Sequence, residues 1–132
     1  MEIVAYTKAV RVSPRKVRLV ADAIRKQSVA EALRSLSIID KRGSYSLEKT
    51  LRSAVANAVN NNNLQASDLT IKSLEVNEAN PLKRFHPSTR GRVHPYKKKA
   101  SHIRIILESK EEAKQIEPVL KTVKEKGEED GK

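Results

Sequence analysis

The chain has 132 residues, 27 of them Lys or Arg and 16 Asp or Glu, with a formal net charge of +11 and no Cys or Trp. That length suits one domain, and the lack of Cys excludes a disulfide framework, a thiolate zinc or iron–sulfur site and a cysteine nucleophile. No apolar run approaches the roughly 20 residues that cross a bilayer, residues 1–10 show no signal-peptide core, and so short and basic a chain points to a polyanionic partner.

Val4, Tyr6, Val10 and Val12 share one parity, which predicts a short strand or extended arm with these residues on one face. Ser13-Pro14 opens a helix, Ser as a cap and Pro in the first turn, and Val17, Val20, Ala21 and Ile24 form its apolar stripe. Ser28 begins a second helix with Glu31 at capping-box spacing; Val29, Ala32, Leu33 and Leu36 are its stripe, and Gly43 is its predicted stop. A third helix is predicted over residues 46–60, where Leu47, Leu51, Ala54, Val55 and Ala58 lie on one face, with a polar exit at residues 60–63. Leu69, Ile71, Leu74 and Val76 give a strand whose parity changes between Ile71 and Leu74, the mark of a bulge or a twist. Ile103, Ile105, Ile106 and Leu107 give the last strand. The expected fold is α+β: three helices packed on a three-stranded antiparallel sheet, with a long protruding β-hairpin and a charged C-terminal tail. The domain spans residues 1–109, and residues 110–132 are expected to be a flexible tail.

The charge is concentrated. Residues 1–43 hold ten basic and four acidic side chains, and residues 80–107 hold eight basic side chains, all three His and no acid. Residues 80–102 have too few apolar side chains for a core of their own. They read as an extension of the flanking strands into a hairpin, with Ser88-Thr89-Arg90-Gly91 as the turn and Gly91 permitting close backbone approach. Two arms of about nine residues would reach roughly 30 Å. Such a ribbon needs a partner along both faces, and its charge makes that partner a nucleic acid. Lys83, Arg84, Arg90, Arg92, Lys97, Lys98 and Lys99 suit phosphates, while Phe85, His86, His94, Tyr96 and His102 offer flat surfaces to bases. A membrane role fits poorly without a sustained apolar face.

No catalytic arrangement is visible. His86, His94 and His102 are eight residues apart on a ribbon, which fixes no metal site. Glu75 and Glu78 fall on opposite faces of a strand, helix capping accounts for Ser13, and no Gly-rich phosphate loop exists. No enzyme activity, cofactor or metal is expected.

The strings Ala9-Val10-Arg11-Val12-Ser13-Pro14-Arg15-Lys16-Val17-Arg18, Ala54-Val55-Ala56-Asn57-Ala58, and Arg90-Gly91-Arg92 followed by Lys98-Lys99-Ala100-Ser101-His102-Ile103 occur in that order. Together they resemble the bacterial-type large-subunit ribosomal protein number twenty-two family over about residues 3–108. The resemblance implies a cytoplasmic protein of the large ribosomal subunit that binds large-subunit ribosomal RNA, supports assembly and touches neighbouring ribosomal proteins. It implies a hairpin that lines the polypeptide exit tunnel beside the nascent polypeptide, with its tip at Lys83, Arg84, Phe85, His86, Pro87, Ser88, Thr89, Arg90, Gly91 and Arg92. The matching RNA-facing N-terminal element is Lys8, Arg11, Arg15, Lys16 and Arg18, to which Arg25 on the same helix is added. Neither membrane insertion nor a homo-oligomer is expected. The alternative is a free-standing RNA chaperone or regulator. Pro87 and Pro95 depart from the family's pattern and limit ladder bonding in the arms.

Overall fold

A computed structural model describes residues 2–109. The expectation for residues 110–132 lies outside these residues. In chain order the elements are β1 (Glu2–Val10), α1 (Pro14–Ile24), α2 (Val29–Ile38), α3 (Arg42–Asn62), a 3-10 turn (Ala66–Asp68), β2 (Leu69–Pro87), a second 3-10 turn (Thr89–Gly91) and β3 (Val93–Ser109). The three strands form one antiparallel sheet in the order β1-β3-β2, and the three helices pack against it, so the α+β expectation holds. Val17, Ile24, Leu36, Leu47, Leu51, Ile103, Ile105 and Leu107 are wholly buried between the layers.

Pro14 occupies the first turn of α1, where its missing N–H has no partner to lose. Ser13 does not cap with its side chain, contrary to the sequence reading. Its carbonyl instead accepts from the N–H groups of Lys16 (3.0 Å) and Val17 (3.3 Å). The capping box of α2 forms as expected. Ser28 Oγ accepts from the Glu31 N–H at 3.4 Å, and Glu31 Oε2 accepts from the Ser28 N–H at 3.2 Å. Ser28 Oγ also donates to Glu31 Oε2 at 2.9 Å, and this bond, with the one from the Ser28 N–H, holds the Glu31 carboxyl below its ordinary value.

Gly43 is not the stop of α2. It is buried in the first turn of α3, where an added Cβ would sit 3.3 Å from Val17 Cα. It is therefore the residue that lets α3 cross close to α1. The exit of α2 is held by Ser44 Oγ, 2.8 Å and 2.9 Å from the carbonyl oxygens of Leu36 and Ile39. At its far end α3 runs to Asn62, and Asn63 adopts φ +52° as a left-handed C-cap.

The face of β1 that carries Val4 and Tyr6 is not the one that meets the core. Ile3 and Ala5 are buried, while Val4 and Tyr6 are exposed. Ile3 pairs with Leu107 and Ala5 with Ile105, both core residues, so the pleat turns Val4 and Tyr6 to the far face. Of the bulge or twist expected in β2, a bulge is present between Ile71 and Ser73. It leaves Lys72 free to reach Glu2 (2.7 Å) and Glu108 (3.5 Å). The bond that Lys72 Nζ donates to Glu2 raises the Lys72 ammonium above its ordinary value, and the same bond lowers the Glu2 carboxyl.

Candidate nucleic-acid interface

Beyond the last β1 pair, Val10 with Ser101, only β2 and β3 continue, and they pair in register from Leu82 with Lys98 out to Pro87 with Val93. The register shifts once, between Ala79 and Leu82, where Pro81 cannot donate to a ladder. Farther out Pro95 sits opposite Phe85 and Pro87 ends β2. Both strands are edges here, so an outward-facing proline nitrogen costs no ladder bond. From Asn80 to Pro87 the arm extends roughly 26 Å at about 3.3 Å per residue. The turn is where the sequence placed it, with Arg90 at φ +56° and Gly91 at φ +68°. Gly91 has nothing within 4 Å of a built Cβ. Its conformation, and not close backbone approach, is what asks for glycine.

Alternation puts Leu82, Arg84 and His86 on one face of the ribbon with their partners Lys98, Tyr96 and His94. The other face carries Lys83, Phe85 and their partners Lys97 and Pro95. Each face thus holds cations beside rings. His86 stacks on Tyr96 with centroids 4.3 Å apart and planes 10° from parallel, and Phe85 stands 69% exposed. His86 and His94 face each other across the strands, but His102 lies on the three-stranded part of the sheet. Among the described residues no group of three potential ligands could hold a metal ion.

At the root of the hairpin the two basic segments meet. Arg11, Arg42, Arg84, Lys98 and Lys99 line one hollow of about 340 Å³ together with Leu82 and Ala100. Among the described residues no acid lines it, although Lys99 Nζ is also 3.7 Å from Glu78. Five cations around one concavity create a focused positive field suited to phosphate groups. Arg42 also lines the adjoining hollow with Lys16, Leu19, Asp40, Lys41 and Gly43, and so links α1 to the root. Arg42 escaped the sequence reading: it opens a helix and is distant in the chain from both Arg11 and Lys98.

The remaining N-terminal candidates divide. Arg15 and Lys16 are exposed on α1, and Lys8 places Nζ 5.8 Å from the Tyr6 ring centroid. Arg18 and Arg25 have a structural task. Arg18 donates to the Val76 carbonyl through Nε (3.1 Å) and Nη2 (2.9 Å), and Arg25 Nη2 donates to the Leu74 carbonyl at 3.4 Å. β2 is an edge of the sheet, so these guanidiniums cover backbone acceptors that would otherwise be open to strand addition. His102 is also engaged: its Nδ1 accepts from the Ala9 N–H at 3.1 Å, and its ring stacks on Tyr6 at 5.8 Å. Arg90 lies within the turn and Arg92 directly follows it, both exposed.

A family model described as "Ribosomal protein L22p/L17e" matches residues 5–108. The chain is 50% identical over 107 residues to the large ribosomal subunit protein uL22 of Mesoplasma florum, covering 81% of this chain and 96% of that one. It is 48% identical over 110 residues to the protein of the same name from Thermus thermophilus, covering 83% and 97%. With that of Staphylococcus aureus strain JH9 it shares 43% over 116 residues, covering 87% and 99%. The chain belongs to the L22p/L17e ribosomal protein family, whose members are structural components and not enzymes.

Proposed function

We infer that the chain is a structural constituent of the large ribosomal subunit, working in the cytoplasm, and that it grips large-subunit ribosomal RNA at the hairpin root and along both faces of the ribbon. The observation that carries this reading is the hollow where Arg11, Arg42, Arg84, Lys98 and Lys99 converge from three separate parts of the chain, with no acid lining it among the described residues. Phosphates from RNA segments that meet there would be neutralised together, which ties the reading to subunit assembly as well as to binding. Lys8, Arg15 and Lys16 extend the contact from the N-terminal side, and Lys83, Lys97, Arg90 and Arg92 extend it along the hairpin. Phe85 and the His86–Tyr96 stack offer flat surfaces to unpaired bases. The hairpin lines the polypeptide exit tunnel, where its tip, residues 83–92, meets the nascent polypeptide. Neighbouring large-subunit proteins are the remaining partners.

The test is the salt dependence of binding to a large-subunit ribosomal RNA transcript. Replacing all five root cations by Gln should make the slope of log affinity against log salt shallower by roughly 3.5 to 4.5, at about 0.7 to 0.9 per phosphate contact. Stability should hardly change, because these side chains are exposed. An unaltered slope would remove the root from the interface. Sedimentation at moderate salt tests the assignment itself: the protein should travel with the large subunit, and a protein found mainly free would favour a separate RNA chaperone.

A further inference from the structure

We propose that His102 is a positioning residue: its imidazole holds a bulge in β1 that sets where Lys8 and Arg11 stand relative to the hairpin root, so it acts on RNA through them and not by direct contact. This rests on the RNA-gripping role inferred above.

The register carries the argument. Thr7 pairs with Ile103 and Val10 with Ser101, so β1 takes three steps where β3 takes two. Lys8 and Ala9 therefore stand together opposite His102. Ala9 sits at φ +53°, a left-handed conformation that side chains other than Gly rarely adopt. Such a conformation persists only where its surroundings fix it. The feature that fixes it here is the Ala9 N–H, which donates to His102 Nδ1 at 3.1 Å. The ring is in turn steadied by its stack on Tyr6, and Lys8 Nζ lies 5.8 Å from that same Tyr6 ring.

The consequence reaches the root within two residues. The chain leaves the bulge through Val10, whose carbonyl accepts from the Val12 N–H at 2.8 Å. Arg11 projects between them into the hollow shared with Arg42, Arg84, Lys98 and Lys99. If the bulge were lost, β1 would continue in plain register beyond Thr7, and a one-residue slip reverses the face of every following side chain. Lys8 and Arg11 would then leave the positions they occupy.

Three variants of the full chain test this, using binding to a large-subunit ribosomal RNA transcript across a salt series and amide exchange at Ala9 in the free protein. His102→Leu keeps bulk but removes the acceptor. It should make the salt slope shallower by roughly 1.4 to 1.8, the share of two phosphate contacts, and speed exchange at Ala9. His102→Asn places Oδ1 where Nδ1 was, without the ring, and should restore both readouts. Ala9→Gly added to His102→Leu should restore the slope as well, because Gly adopts positive φ without steric cost. If His102→Asn binds as poorly as His102→Leu while protecting Ala9 normally, the ring itself contacts RNA and the proposal is overturned. It is equally overturned if His102→Leu leaves the slope and the Ala9 exchange unchanged. A wild-type chain with a flat salt response would instead overturn the RNA reading, while the exchange data would still report on the bulge.

Discussion

Close to the helices, Ile103, Ile105 and Leu107 of β3 are wholly buried, and Val76 of β2 lies opposite Ile103. About ten residues farther along the same two strands, Phe85 is 69% exposed and Val93 58%. The backbone ladder is continuous between the two regions, but the source of order is not. The inner half is held by buried aliphatic surface, by ion pairs such as Lys72–Glu2, and by two arginines bonded to the β2 edge. The outer half contains no acidic side chain of its own, and the ion pair of Lys99 with Glu78 lies at its root. Hydrogen bonding alone specifies a strand weakly. The inner half is built to fold, and the outer half, on the function proposed above, is completed by a polyanion.

The sharpest way to break this comparison is a pair of truncations on the one hairpin. Ile103→Ala should destabilise the domain by about 2–5 kcal/mol in urea unfolding, through lost burial and the cavity left behind. Phe85→Ala should change stability by less than about 0.5 kcal/mol, as expected of an exposed side chain, while weakening RNA affinity. Comparable destabilisation by the two would mean that the outer half shares the core's cooperativity.

Two glycines refine the same contrast at a smaller scale. Gly43→Ala should cost about 1–3 kcal/mol by overpacking, because its Cβ would press on Val17 Cα at 3.3 Å. Gly91→Ala meets no neighbour, but must hold φ +68°. Its effect, about 1 kcal/mol of local conformational cost, should appear as faster amide exchange at the tip with an unchanged global unfolding midpoint. A lowered midpoint would show that the turn is coupled to the core.

These two glycines also mark what could be read from the sequence. Helical spacing in Val17, Val20 and Ile24 was enough to place α1, and the parity change between Ile71 and Leu74 was enough to mark an irregularity, though not to choose a bulge over a twist, because burial leaves a periodic trace. The turn at Ser88–Gly91 was legible from its residue types and its central position between two strands. Close crossing leaves no such trace, so Gly43 looked like a stop. In β1 the residues of both parities are largely apolar, and only pairing with Ile105 and Leu107 decides that Ile3 and Ala5 face inward. The root hollow was half legible. The two basic segments were visible, but Arg42 joins them only through the crossing of α3, and a guanidinium's preference for the carbonyls of an edge strand, as with Arg18, has no sequence signature at all.

The smallest expected effect concerns α2, whose order depends on local bonds that the hairpin lacks. Ser28→Ala should cost about 1 kcal/mol through loss of the cap. The reciprocal half of the box is a carboxylate, so it titrates. Ser28's hydrogen bonds lower the Glu31 carboxyl from its ordinary 4.5 in the folded state. A depressed acid contributes stability in full above its unfolded value and loses it as pH falls through its folded value. The stability difference between the wild type and Glu31→Gln should therefore be constant near neutrality and shrink as pH falls below 4.5. Glu2, lowered by Lys72, adds acid sensitivity of the same sign at the other end of the sheet, so the double variant Glu31→Gln, Glu2→Gln should be flatter still. The hairpin from Asn80 to Ser101 contains no carboxyl group. Its amide exchange, once corrected for intrinsic rate, should then follow the carboxylate titration that loosens α2 only through its three-stranded root, and a tip that loosened in step with α2 would show that the two halves are one cooperative unit.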